Sequence, residues 1–396
     1  MHICKNILSL VALAVLLLSA AFSAIADDVA RMSDAKPSPA AKSANNAAAQ
    51  PERQLSQEQL ALRDQVRQIL AVYRQSAFNT QQNTATEIQS VCLAYGCESE
   101  VSLADAEGRR INGITVLCWN YPCNGFEMLA YRQKHIAARI GYGYQENPGE
   151  FLAVLAMSRV SAGYPVRVGK DVRKVADIVT AEKLACRAGG DASLRLIGLS
   201  YYADEPQWKN DLDETWSIER IIGEELKRPA AVGSEAGLNR LLGLSYAVAR
   251  QLRHTPTLEG QFQRAQKYMA DFFDFALRLQ NADGTWGPAF LAARSEGADV
   301  ASQLRGTGRV LEWLAISLPD GKLQNQQIVA AVEAVTRLLG NEQYQGLAPS
   351  LSTRDIVSLG HALHALSIYD ERVFKPFDAP EKPADKQASA QREFVR

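Results

Sequence analysis

The chain has 396 residues, 47% of them hydrophobic and 22% charged, a balance that fits globular protein and excludes fibrous or fully disordered classes. Lys and Arg number 43 against 44 Asp and Glu, for a net charge of −1. No basic excess exists to form a nucleic-acid groove or to bind an anionic membrane surface, so neither partner is expected.

At the amino terminus, His2 and Lys5 precede an apolar run from Ile7 to Phe22, followed by Ala24-Ile25-Ala26 and then Asp27-Asp28. A basic start, an apolar core and a small-x-small end describe an export signal over residues 1–26, cleaved after Ala26. The alternative is an uncleaved anchor, because the run approaches bilayer-spanning length. Cys4 lies before the apolar core, which rules out a lipid-modified cysteine there. Residues 27–54, rich in Ala, Ser, Pro, Asn and Gln, cannot bury enough apolar surface to fold and read as a disordered linker. Residues 375–396, with Pro376, Pro380 and Pro383 among mixed charges, read as a disordered tail. The folded domain is therefore expected over 55–374, in an oxidising compartment (periplasmic or secreted), with no stable membrane span in the mature chain.

The body reads as all-α. Ser56-x-x-Gln59 and Thr84-x-x-Glu87 are capping boxes, each followed by apolar residues at helical spacing. Asn147-Pro148 reads as a cap with proline in the first turn, opening a helix with Phe151, Leu152 and Leu155. The same 3–4 spacing recurs over 172–186, 194–202, 216–226, 238–252, 262–279, 300–318, 328–339 and 356–369. Only 111–117 offers a short strand candidate.

Two joints between helices share the form Gln-x-x-x-Gly-x-aromatic: Gln145…Gly149…Phe151 and Gln280…Gly284…Trp286. Their offset is 135 residues, or three units of about 45, the size of a helix pair. A glutamine amide can bond the last carbonyls of one helix and the first amides of the next. Glycine permits the left-handed turn, and the ring covers the joint.

The run Gln280-Asn-Ala-Asp283-Gly284-Thr-Trp286-Gly resembles the Gln-Trp repeat motif of squalene and oxidosqualene cyclases, found more loosely in protein prenyltransferases and other α/α toroids. Leu304-x-x-Thr307-Gly308-x-Val-Leu-Glu312-Trp313, Gly360-His361-Ala-Leu-His364 and Cys118-Trp-Asn-Tyr-Pro-Cys123 are similar to a group of exported, uncharacterised bacterial proteins described as squalene-cyclase-like. Some of that group are labelled ADP-ribosylation-factor GTPase-activating protein. The resemblance implies an α/α toroid of about six helix pairs over most of 80–370, and no established activity. The paired Cys-x-x-Cys zinc ligands that a GTPase-activator label implies are absent.

Three groups of residues are candidates for chemistry. Asp211-Leu-Asp213-Glu214-Thr is close to the Asp-x-Asp-Asp-Thr motif of proton-initiated terpenoid cyclases, with Glu214 where that motif has its last Asp. In the resembled family a crowded carboxylic acid stays protonated and donates its proton to an alkene or epoxide. The structural alternative makes Asp211 and Asp213 caps of a helix starting near Trp216. His361 and His364, three apart on one helix face, could approach a metal, but no third ligand accompanies them, and the expected reading is packing against the inner helices with one imidazole on a carbonyl. Cys92, Cys97, Cys118 and Cys123 form two Cys-x4-Cys pairs, read as disulfides of three possible connectivities, with Cys186 left as a buried free thiol. No cofactor or metal is expected. The functional expectation is a periplasmic binding or scaffold domain holding a protein or small-molecule ligand in its central cavity. The alternatives are a terpenoid-cyclase-like enzyme on a lipid or isoprenoid substrate, and a glycan-active toroid.

Overall fold

The computed structural model describes residues 55–231, 233–341 and 351–375. The expected signal, linker and tail fall outside them, apart from Lys375. Among the described residues there are thirteen α-helices: α1 Gln57–Arg74, α2 Ala85–Tyr95, α3 Gly113–Cys118, α4 Glu150–Met157, α5 Val175–Leu184, α6 Ser193–Tyr202, α7 Ile218–Lys227, α8 Glu235–Leu252, α9 Gly260–Leu279, α10 Val300–Ser317, α11 Asp320–Leu323, α12 Gln326–Leu339 and α13 Thr353–Tyr369. The architecture is mainly α. No helix among the described residues is long and apolar enough to cross a membrane.

The helix starts follow from local chemistry. The Ser56 hydroxyl accepts from the Gln59 amide at 3.2 Å while the Gln59 side chain accepts from the Ser56 amide at 2.9 Å. Thr84 and Glu87 repeat this reciprocal arrangement on α2, and Ser352 and Asp355 on α13. The start of α4 differs from expectation. Gly149, left-handed at φ 79°, is its cap, and Asn147 instead sends its backbone amide to the Glu150 carboxylate at 3.0 Å.

Four short antiparallel hairpins occupy links between helices: β1 Glu100–Ser102 with β2 Arg110–Asn112, β3 Leu129–Arg132 with β4 His135–Ala138, β5 Pro165–Val168 with β6 Asp171–Lys174, and β7 Trp208–Lys209 with β8 Thr215–Trp216. The segment 111–117 is therefore not one strand, since it divides between β2 and α3. Likewise β6 takes the first residues of the expected 172–186 helix. The β3–β4 and β5–β6 loops have two residues, the first of each at positive φ (Gln133 56°, Gly169 59°), as tight hairpins require.

Six helices pack one against the next. α13 packs on α2 and α10, α10 on α8, α8 on α6, α6 on α4, and α4 returns to α2. The approaches are close because small residues face each other. A Cβ on Gly308 would lie 2.8 Å from that of Ala362, and a Cβ on Gly243 only 2.2 Å from the Ser193 carbonyl oxygen. The remaining longer helices lie against this set: α1 on α12 and α13, α9 on α7 and α8, α12 on α10, and α5 on α6. Helix α9 shows a one-sided pattern, burying only Ala265, Met269 and Ala276.

Candidate functional site

Arg305, Arg309 and Glu312 recur at i, i+4 and i+7 along α10, which puts them on one face. His361 and His364 share a face of α13, and the Gly308–Ala362 contact brings the two helices close. The result is a buried cluster around one carboxylate. Glu312 Oε2 lies 2.8 Å from Arg309 Nη1 and 3.0 Å from His361 Nδ1, while Oε1 lies 2.7 Å from His364 Nδ1. Asn239 of α8 accepts from the other guanidinium nitrogen of Arg309. The side chain of Glu312 is 1% exposed.

Burial pushes the Glu312 carboxyl up, but His361 and Arg309 beside it outweigh that and hold it well below the usual carboxylate range. His361 is pushed below its ordinary value, first by burial and then by the Arg309 charge. An ionised carboxylate only accepts, so each imidazole must present an Nδ1 proton to it. Arg309 Nη1 lies beside both ring nitrogens of His361, 2.8 Å from Nδ1 and 3.2 Å from Nε2. The histidines thus bond a carboxylate rather than the expected carbonyl. Among the described residues no set of three or more His, Cys, Asp or Glu is placed to hold a metal ion.

Beside the cluster lies a cavity of about 590 Å³, whose walls include Arg305 and Arg309 of α10, Arg354, Ser358 and His361 of α13, and Glu235 of α8. Glu235 and Arg354 lie in the first turns of α8 and α13, where the backbone dipole is positive, while Arg309 and His361 lie mid-helix. Glu146 and Phe290 complete the mouth from adjoining links. Only His361 was singled out from sequence. The detectable signal for the rest was Arg-x3-Arg-x2-Glu on one helix facing His-x2-His on another.

The acidic motif is elsewhere. Asp211, Asp213 and Glu214 belong to the β7–β8 hairpin, and α7 begins at Ile218 behind a Ser217 cap, so neither aspartate caps a helix. Asn210 organises the turn, its Oδ1 accepting from the Leu212 and Glu214 amides. Asp211 pairs with Arg187, and Glu214 accepts from Asn210 Nδ2 at 2.7 Å and from Trp216 Nε1 at 3.3 Å. Asp213 has a 90% exposed side chain and φ of 61°. Asn adopts that backbone as readily as Asp. Replacing Asp213 with Asn is therefore expected to change unfolding free energy by less than about 0.5 kcal/mol, measured by urea denaturation. A loss above about 1 kcal/mol would show a role the hairpin geometry does not contain.

Both Gln-Gly-aromatic joints are buried, with different wiring. Gln145 accepts from the Phe151 amide at 2.9 Å and donates to the Ala138 carbonyl. Gln280 donates to the Gly284 and Gln327 carbonyls, tying the turn to the start of α12. Asp283 holds the turn through Thr285, at 2.6 Å to its hydroxyl. Gly149 and Gly284 are both left-handed (79° and 85°), and Phe151 and Trp286 are both inaccessible to water.

The expected cross-links are not present among the described residues. Cys92, Cys97, Cys118 and Cys123 are free thiols, as is Cys186. Three of the four paired candidates are buried, and burial pushes the Cys92 thiol up to about 12 against the Ser99 hydrogen bond. Cys123 donates to the Tyr121 carbonyl and the exposed Cys97 to that of Ser158.

Comparison with family models, with curated proteins and with solved structures gives no match. The functional argument therefore rests on the cavity and the cluster behind it.

Proposed function

We propose that the chain is an exported α/α-toroid binding protein whose central cavity takes a small polar ligand. In this reading α2, α4, α6, α8, α10 and α13 form the inner ring, since their contacts run from one to the next and return to the first. Another helix precedes each in the chain, giving six pairs in sequence order. The observation that carries the proposal is the cavity between α8, α10 and α13, roomy enough for a metabolite-sized molecule and walled by charged groups. The Arg309–Glu312–His361–His364 cluster fixes one wall, as a preformed binding site needs. The cyclase alternative draws no support from Asp211 and Asp213, which are salt-bridged and open to water rather than facing an apolar chamber.

The test titrates the purified chain with a panel of polar metabolites, reading thermal stability and binding heat, and separately incubates it with polyprenyl substrates. Saturable stabilisation by a polar compound, with the polyprenyl substrates unchanged, is the expected result. Polyprenyl product formation would replace the binding reading with the enzymatic one.

A further inference from the structure

Accounting for charge along the cavity wall leaves one group over. Arg309 is matched by Glu312 at 2.8 Å, and Arg354 faces Glu235 at 3.9 Å. Arg305 has no hydrogen bond or ion pair from its side chain among the described residues, although its Nε is buried. Arg309, with a side chain only 4% exposed, also keeps an Nε without a partner. Unmatched buried guanidinium nitrogens are costly, and a native fold retains them where something else satisfies them. The one further carboxylate at the cavity, Glu146, is exposed and forms no ion pair there.

We infer that the cavity is an oxyanion site: its ligand is a small molecule bearing one carboxylate or phosphate group, docked on the free fork of Arg305 beside Arg309. This rests on the binding reading above and specifies its ligand class. The planar guanidinium suits both oxyanions, offering two parallel donors to two oxygens. Arg309 is held in place by Glu312 and Asn239, so it serves as the rigid half of the clamp. Arg305, half-buried and unpaired, supplies the charge that the ligand neutralises. The first turns of α8 and α13, which line the cavity at Glu235 and Arg354, add the same sign of potential.

The test measures binding calorimetrically for inorganic phosphate, glucose 6-phosphate, glucuronate and neutral glucose, on the wild type and on Arg305→Gln. At least one anion should bind the wild type, and Arg305→Gln should weaken it tenfold or more, about 1.4 kcal/mol. The unliganded variant should melt no lower than the wild type, because the guanidinium it loses has no partner to abandon. Which anion binds assigns carboxylate or phosphate. The inference falls if no anion binds, if both proteins bind anions equally, or if unliganded Arg305→Gln melts lower, which would make Arg305 a structural residue. Glucose binding equally to both proteins would remove the anion inference and leave the binding reading intact. Failure of all four, together with the wider panel, would remove both.

Discussion

Replacing Glu312 with Gln is expected to destabilise the folded protein by about 3–5 kcal/mol, the usual consequence of removing one partner from a buried ion pair. The carboxylate accepts from Arg309, His361 and His364 at once, and a carboxamide cannot replace it. Its NH₂ group would meet one of those donors head-on, and the Arg309 guanidinium would stay buried without a counter-charge. Urea denaturation of the single variant and of Arg309→Met/Glu312→Gln separates the charge effect from simple crowding. The double variant should lose less than the sum of the two singles, because it no longer strands a charge. Strict additivity, or a single-variant loss under about 1 kcal/mol, would show that the cluster does not hold α10 against α13.

The same cluster sets the direction of the pH dependence. The Glu312 carboxyl titrates lower in the fold than in the open chain, so its contribution is complete above about 4.3 and is lost as pH falls further. His361 is also depressed, so below about 6.5 the unfolded imidazole binds a proton that the folded one resists. Both groups make stability fall on acidification, His361 first below about 6.5 and Glu312 again below about 4.3. Glu312→Gln should abolish the lower of these two declines.

Much of the helical framework was legible because its signals are local. Ser56 with Gln59 and Thr84 with Glu87 announce helix starts within four residues, and the apolar spacing after them continues for several turns. The hairpins were not legible, since strands of two to four residues are too short to show alternation. That explains the misplaced start of α7. Trp216 has the size and apolarity of a first helical core residue, but it pairs with Trp208 across β7 and β8. The cavity wall was hidden for a different reason. Arg305, Arg309 and Glu312 look like an ordinary charged helix face, which in most sequences would point to water. Only the packing of α10 between α8 and α13 turns that face inward. The two histidines were visible as a pair, but the carboxylate that bonds them lies on another helix with no spacing rule to connect them.

The joint at Trp286 provides the other large effect, with Trp286→Ala expected to cost about 3–5 kcal/mol. The indole is inaccessible to water, and its Nε1 donates to the Ala276 carbonyl at 2.9 Å, satisfying one of the open acceptors in the last turn of α9. Its backbone amide donates to the Thr307 hydroxyl at 3.0 Å, and Gly306 lets α10 approach so closely that a Cβ would lie 2.5 Å from the Trp286 carbonyl oxygen. One residue therefore connects the end of α9 to the side of α10, the helix that carries Arg305, Arg309 and Glu312. Alanine leaves a void and an unmatched carbonyl, whereas phenylalanine keeps most of the volume and loses only the hydrogen bond. Trp286→Phe should accordingly cost about 1–2 kcal/mol, clearly less than the alanine variant. If the two substitutions cost the same, the ring acts through its hydrogen bond alone and its packing is incidental. If Trp286→Ala costs under 1 kcal/mol, the joint does not brace α10, and the shared Gln-Gly-aromatic form loses its physical meaning.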